Sequence, residues 1–453
     1  MALAVMGALF GCSSGDGDGK ADGEGAHQRG PAPSEKLAKL NVPDGYSTTK
    51  GWQQTLGWVP PSVGSLPVTT AEETGAVAYL RAASGGYSVE VRAAESGDVR
   101  WSGKNWQPPV PTEGISDDLS EDEEIPDVIS TVQADDEYIV AWAHGLKGKD
   151  ELHEGTEVVQ LAVYPAKASG SGVKPARVIN VPVSASSDDL NVAANGDGLL
   201  ITWGDGQGVG REAGAAVDVA SGKVTRYQAT ELLPKAWCED TLCTDGRVWA
   251  TAAAGPVISS DNGGFGVPGS WFSNDHAPAG VKPGSNDSIN LNGDAQAAAG
   301  EHLVAVWNRP DGTHVWAVHD ATTGRVKATT TCSTEDLTPG MYSEAYPAVA
   351  SSNDRYVAAG PVAFDLKTRR GWCLAGDDNR KEILLLFVTD RGTAFGGVND
   401  GDDGVPAQVS LRTGQPKALS LDIDVPWADV DGSGMFLTRD KNKALRISVL
   451  QQE

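Results

Sequence analysis

A short run near the C-terminus carries the spacing of a cation site. Asp429, Asp431 and Ser433 alternate along Asp429-Val430-Asp431-Gly432-Ser433-Gly434, and Asp440 falls at the twelfth position counted from Asp429. Alternate side chains on a tight glycine turn converge oxygens on a hard cation, so the run has the pattern of a calcium loop with Asp440 in place of the usual bidentate Glu. The same residues also read as a plain hairpin between two strands. Asn399-Asp400-Gly401-Asp402-Asp403 carries the same ambiguity.

Other residues suit binding better than catalysis. Trp271, Phe272 and His276 precede a polar stretch, Pro283 to Asp294, and aromatics beside a long insertion suit glycans or peptides. The loop Asp117 to Asp127 is dense in acids and suits a basic partner or divalent ions, or simply a solvated surface. Ser259-Ser260-Asp261-Asn262-Gly263 resembles the turn of sialidase-like propellers, a motif that shapes turns and does not perform chemistry. The Gly-x-Ser-x-Gly match, Gly11 to Gly15, lies far from any strand-to-helix elbow. His314 and His319 share one expected strand but face opposite sides. No catalytic residue is assigned.

Charge narrows the partners. With 61 acidic and 36 basic residues the net charge is −25, and no Lys/Arg cluster offers a counterion-releasing face, so nucleic acid is not an expected partner. Five cysteines are present; with Cys12 set aside, Cys238, Cys243, Cys332 and Cys373 allow three pairings, of which Cys238 with Cys243 and Cys332 with Cys373 is favoured. Cys-x-x-Cys spacing with nearby His, as a zinc site needs, is not found.

These residues must be positioned by a repeating unit of strand, turn and strand. Val318 to Val326, Val-His-Asp-Ala-Thr-Thr-Gly-Arg-Val, is one copy: Asp320 accepts hydrogen bonds from the turn, and Gly324 supplies a positive φ. Aligned on that glycine, Gly97, Gly170, Gly222, Gly324, Arg369 and Gly414 recur at about 45 to 52 residues, or at larger intervals that imply an insertion or an eroded copy. Continuous apolar runs such as Leu303 to Trp307 read as strands buried on both faces. The expected fold is therefore all-β: a β-propeller of eight four-stranded blades, with seven left open, over residues 45–453. Its last segment, Val425 to Leu450, holds three strands, and Trp52 to Val59 is expected to supply the fourth and close the ring.

The pattern Ala-x-Asp-x-x-Thr-Gly-x-x-x-Trp resembles the repeat of quinone-cofactor (PQQ-like) β-propellers and their non-enzymatic relatives. Ala93 to Trp101 keeps the Ser96-Gly97 turn and Trp101 but lacks the Asp; Asp218, Ser221 and Gly222, like Asp320, Thr323 and Gly324, keep the turn without the Trp. The resemblance implies a motif that docks one blade on the next. The quinone enzymes of that family carry an adjacent Cys-Cys pair, absent here, so the quinone is not an expected cofactor and calcium is the only metal with a candidate site.

The N-terminus resembles a bacterial lipoprotein signal. An apolar run ends Leu9-Phe10-Gly11-Cys12, and the resemblance implies lipidation at Cys12; the lack of a preceding Lys or Arg points to a start assigned too late. Residues 13–44, rich in Gly, Asp, Ser and Pro, read as a flexible tether. The expectation is an exported protein of a Gram-positive bacterium, lipid-anchored to the outer face of the cytoplasmic membrane. Its propeller would bind or scaffold an envelope protein or glycan. The alternative is a propeller enzyme, either quinone-dependent or a glycan hydrolase.

Overall fold

The computed structural model describes residues 35–63, 65–112, 124–184, 190–204, 212–234, 246–260, 264–282, 293–309, 311–334, 337, 347–398 and 404–453. Cys12, Cys238, Cys243, the loop Asn399 to Asp403, the turn Asp261 to Gly263 and most of the two long insertions lie outside the described residues.

The apolar runs become strands shared between neighbouring cores. Along Ala76–Ala83, Ala76, Ala78 and Leu80 enter the cluster formed with the second blade, and Val77 and Tyr79 enter the cluster formed with the closing blade. Side chains that alternate across a sheet, with both faces covered, leave no room for a polar face, and residues 76 to 80 are all fully buried.

Four antiparallel blades come first. Val68–Ala71, Ala76–Ala83, Gly86–Ala93 and Val99–Gly103 form one, with Gly170–Val173 added in parallel on its outer edge. Asp127–Gln133, Asp136–Lys147, Thr156–Pro165 and Arg177–Pro182 form the second. The third runs from Asn191–Ala193 to Val224–Gln228 and the fourth from Gly246–Ala252 to Trp271–Phe272. A fifth runs from Ile383–Val388 to Gln415–Ala418. The closing blade joins Ala428–Val430, Ser433–Arg439 and Leu445–Gln452 to the N-terminal strand Tyr46–Leu56, with Trp52 opposite Val449. The closure expected from the sequence forms, with the strand running Tyr46–Leu56 where Trp52 to Val59 was expected.

The blade count differs from the expected eight. Among the described residues six blades stand as separate sheets, and Asp294–Ala299 through Arg370–Cys373 form one eight-stranded sheet. Its halves are antiparallel meanders joined by their outer strands, Val326–Cys332 and Arg370–Cys373, in parallel at Thr329 and Arg370. Gly371 allows that approach, because a Cβ there would sit 2.7 Å from Thr330 Cβ. The Cys332–Cys373 disulfide ties the same two strands, fulfilling one of the expected pairings.

The repeat turns form as expected. In the turn after His314–Asp320, Asp320 Oδ1 accepts from the Thr323 amide and hydroxyl at 2.8 Å each, and Gly324 has φ 72°. Asp218 does the same for Ser221, while Arg369 takes the glycine slot at φ 57°.

Residues 35–44, expected to be part of the tether, pack on the folded body. Leu40 is buried with Tyr46, Phe387, Phe395 and Phe436, and Leu37 and Val42 pack against that cluster. Three apolar side chains in this stretch give it something to bury, so residues 35–44 belong to the folded body.

Candidate functional site

The residues singled out in the sequence do not converge. Asp429 is buried on Ala428–Val430 and accepts from Gln452 Nε2 at 2.7 Å. Asp431 and Gly432 make the two-residue turn that follows, both at positive φ, and Ser433 starts the next strand. Asp440 lies beyond the far end of Ser433–Arg439, where its carboxylate accepts from the Asn442 and Ala444 amides. A seven-residue strand thus stands between the first three candidate ligands and the fourth, and the twelve-residue calcium loop is replaced by two hairpins. Among the described residues no three His, Cys, Asp or Glu side chains are grouped to hold a metal ion.

Trp271 faces the next blade and not solvent. It is 7% exposed, edge-on to Phe265 and His276, and a Cβ on Gly324 would lie 2.5 Å from its ring. Phe272 and His276 are half-buried beside it. Glycine is required at position 324 by this approach as well as by its φ. Trp52 packs on Gly97 and Trp372 on Gly414 in the same way, and Trp101 donates to Ala166 O at 2.9 Å. The sequence reading of Trp271 as a ligand platform therefore gives way to blade docking, the role the repeat resemblance implied. The described end of the acidic loop holds to the second blade, with Glu124 Oε2 3.7 Å from His144 Nδ1.

The chemistry gathers elsewhere, where innermost strands turn into second strands. These hairpins line a single cavity of about 1000 Å³ at one mouth of the ring. Glu72 and Glu73 come from the first blade, Asp135 and Glu137 from the second and Asp197 from the third. Glu301 and Asp354 come from the two halves of the eight-stranded sheet, Asp390 from the fifth blade and Asp429 from the closing blade. Nine carboxylates line this mouth with no Lys, Arg or His among the lining residues. Trp427, 59% exposed, stands beside them as the exposed aromatic.

Some of these acids also fasten the ring. Glu137 accepts from the Thr74 hydroxyl at 2.7 Å and amide at 3.0 Å, and Asp390 accepts from the Asn353 amide at 2.9 Å, so each holds a neighbouring hairpin. Confinement within the mouth, then the charges of Asp390, Glu137 and Asp354, push the Glu72 carboxyl up to about 7. Its side chain remains open to water, so screening confines the consequence to local charge. Burial, helped by the Asp390 charge, pushes the Asp429 carboxyl up to about 6. Because folding favours the neutral acid, Asp429 contributes stability that is full below its ordinary value of 3.8 and lost as pH rises through about 6.

Of the nine, the sequence reading had singled out Asp429 alone, and for a different purpose. The available signal was an acid at or near the turn after most innermost strands, the fourth blade's Ala252-Ala253 being the exception, but 61 acids across the chain hide so irregular a repeat.

The mouth does not fit the quinone of the resembling enzymes. Pyrroloquinoline quinone is a tricarboxylate, and these lining residues offer it like charge and no cation.

No family model matches the chain, and no curated protein matches it. Among solved structures it is similar to the Dos1 propeller, at 10% identity over 88% of this chain and 95% of that one, with a TM-score of 0.36. It is also similar to the β-propeller domain of the Trilobed protease from Pyrococcus furiosus, at 10% identity over 84% and 91%, TM-score 0.36. Polysaccharide lyase Uly1 is similar at 8% identity over 94% of each chain, TM-score 0.39. Likeness at this level says nothing of activity, and the sheets themselves establish that the chain is an all-β, β-propeller protein.

Proposed function

We propose that this propeller is a non-catalytic binding protein whose acidic mouth takes a basic, Lys- or Arg-rich polypeptide segment of a partner. The observation that carries the reading is a cavity lined, among the described residues, by nine carboxylates and no cationic side chain. Such a surface concentrates cations and steers them inward. Trp427 offers a ring face to an ammonium or guanidinium group, and the exposed Val132 suits the methylene stems of long basic side chains. In this reading the eight-stranded sheet works as two blades, so that eight innermost strands surround the ligand.

The test is fluorescence anisotropy with a labelled oligolysine and a labelled oligoglutamate. Saturable oligolysine binding that weakens with salt, and weakens at least about tenfold in the Asp135→Asn/Glu301→Gln/Trp427→Ala variant, is expected. Equal binding of both peptides, or an unaffected variant, would remove the reading. A glycan hydrolase is the second reading, because a carboxyl pushed up to about 7, as that of Glu72 is, can serve as a general acid. Polysaccharide cleavage that is lost in Glu72→Gln while oligolysine binding persists would favour it.

The envelope placement rests on Leu9-Phe10-Gly11-Cys12. With lipid at Cys12, the full chain expressed in a Gram-positive host should enter the detergent phase on Triton X-114 partitioning, and Cys12→Ser should leave it in the aqueous phase. Identical partitioning of both proteins would remove the anchor.

A further inference from the structure

His302 is the unexplained group beside the mouth. It begins the strand His302–Asn308, immediately after the lining residues Gly300 and Glu301, and is 5% exposed. Neither ring nitrogen has a hydrogen-bond partner among the described residues. An imidazole buried without a partner is costly, and each such group calls for an explanation. Its Nε2 points across the join between the halves of the eight-stranded sheet to Asp354 Oδ1, 3.6 Å away, beyond hydrogen-bond reach. Asp354 lines the mouth, and its side chain is 76% exposed and free to swing.

We propose that the mouth is a pH-gated site, in which proton uptake by His302 draws the Asp354 carboxylate out of the lining and releases the cationic ligand. This inference rests on the binding reading above and adds its regulation. Imidazole is the side-chain chemistry that changes charge between about pH 5 and 8. Once charged, His302 attracts Asp354 across a gap that a rotation of the exposed carboxylate can close, and one lining charge is neutralised.

The surrounding charges favour that exchange. On its own hairpin His302 has Glu301, and across the strand pairing it stands opposite Asp320, which is held by Thr323 and Lys327. From the adjoining half come Asp354 and Arg355, and the Arg355 guanidinium is committed to Asp365 at 2.8 Å. Asp354 is thus the acid placed to answer a protonated His302. Glu72, facing Asp390, Glu137 and Asp354, and Asp429, facing Asp390 and Arg391, act in the same direction. Both carboxyls lose charge as pH falls, from about 7 and about 6 respectively, so the mouth is most anionic above neutrality and least so in acid.

The experiment titrates the full chain calorimetrically with spermine at low salt, at pH 8.0 and at pH 5.5, a range over which the probe stays polycationic. The wild-type affinity is expected to fall by at least about tenfold from pH 8.0 to 5.5, as two or three lining charges are lost. His302→Phe should flatten that fall. Asp354→Asn, an isosteric change at an exposed side chain, should bind more weakly at pH 8.0 and show a shallower fall. Binding of equal strength at both pH values, or both variants keeping the wild-type fall, would overturn the gate and leave the binding reading standing. No spermine binding at pH 8.0, with no oligolysine binding either, would overturn both.

Discussion

Replacing Arg92 with Met is expected to destabilise the folded chain by about 3–5 kcal/mol, the range for breaking a buried ion pair from one side. Arg92 and Glu90 are each 2% exposed and lie where the first blade meets the closing blade. Arg92 Nη2 stands 2.8 Å from Glu90 Oε1, its Nε donates to Tyr79 Oη at 2.8 Å, and its Nη1 donates to Gly97 O at 2.9 Å. The guanidinium carbon also stands 5.8 Å from the centre of the Trp52 ring. Tyr79 donates a short hydrogen bond to Glu90, and Arg81 reaches its other oxygen at 2.7 Å.

Burial pushes the Glu90 carboxyl up, but the hydrogen bonds from Tyr79 and Arg81 and the Arg92 charge outweigh it and hold the carboxyl below its usual range. A depressed carboxyl contributes stability that is present above its ordinary value of 4.5 and lost as pH falls through the lowered one. Removing Arg92 leaves Glu90 charged and underpaired in the interior. Removing both charges, as Glu90→Leu with Arg92→Met, should recover much of the loss, because no unpaired ion is left behind. Urea denaturation checks this: a single variant within 1 kcal/mol of wild type would mean that water reaches this seam.

The second large effect is at the docking tryptophans. Trp52→Ala should cost about 3–5 kcal/mol, the range for deleting a buried aromatic. Trp52 is 1% exposed, packs over Gly97 and donates from Nε1 to Ala94 O at 2.9 Å, so it joins the N-terminal strand to the first blade. Its loss should expose Tyr46–Leu56 first to limited proteolysis, because the closing blade then lacks a firm outer strand. A finer comparison separates packing from hydrogen bonding. Trp52→Phe keeps much of the ring and loses the bond, and should cost about 1 kcal/mol more than Trp271→Phe, whose indole N–H has no partner to lose among the described residues. Equal costs for the two would show that packing alone sets the docking energy.

Much of the architecture was legible in the chain. Apolar runs such as Ala76 to Leu80 require cover on both faces, and the recurring Gly97, Gly222, Gly324 and Gly414 mark where each third strand turns into the fourth. The closing partnership was legible too, since three strands before the C-terminus leave an edge that the N-terminal strand can fill. The fusion of two meanders into one sheet was not, because it depends on how closely Gly371 lets two outer edges approach, a distance that no local pattern encodes.

The mouth was the least legible part. Its nine carboxylates come from hairpins spread between Glu72 and Asp429, and nothing in the local sequence of any one of them marks it as part of a shared site. Trp271 misled for the complementary reason: an aromatic beside a long insertion suggests a platform, whereas the ring places its face against Gly324.

What the sequence determined by itself was therefore the periodic part: strand positions, the Asp-and-glycine turns and the excess of negative charge. These follow from short-range rules, the alternation of side chains along a strand and the backbone freedom of glycine, which act over a few residues. What only the tertiary structure decided was which acids meet and which aromatic is left to solvent. Closing the ring brings the innermost hairpins of distant blades to a common mouth, and only that closure converts scattered charge into a site.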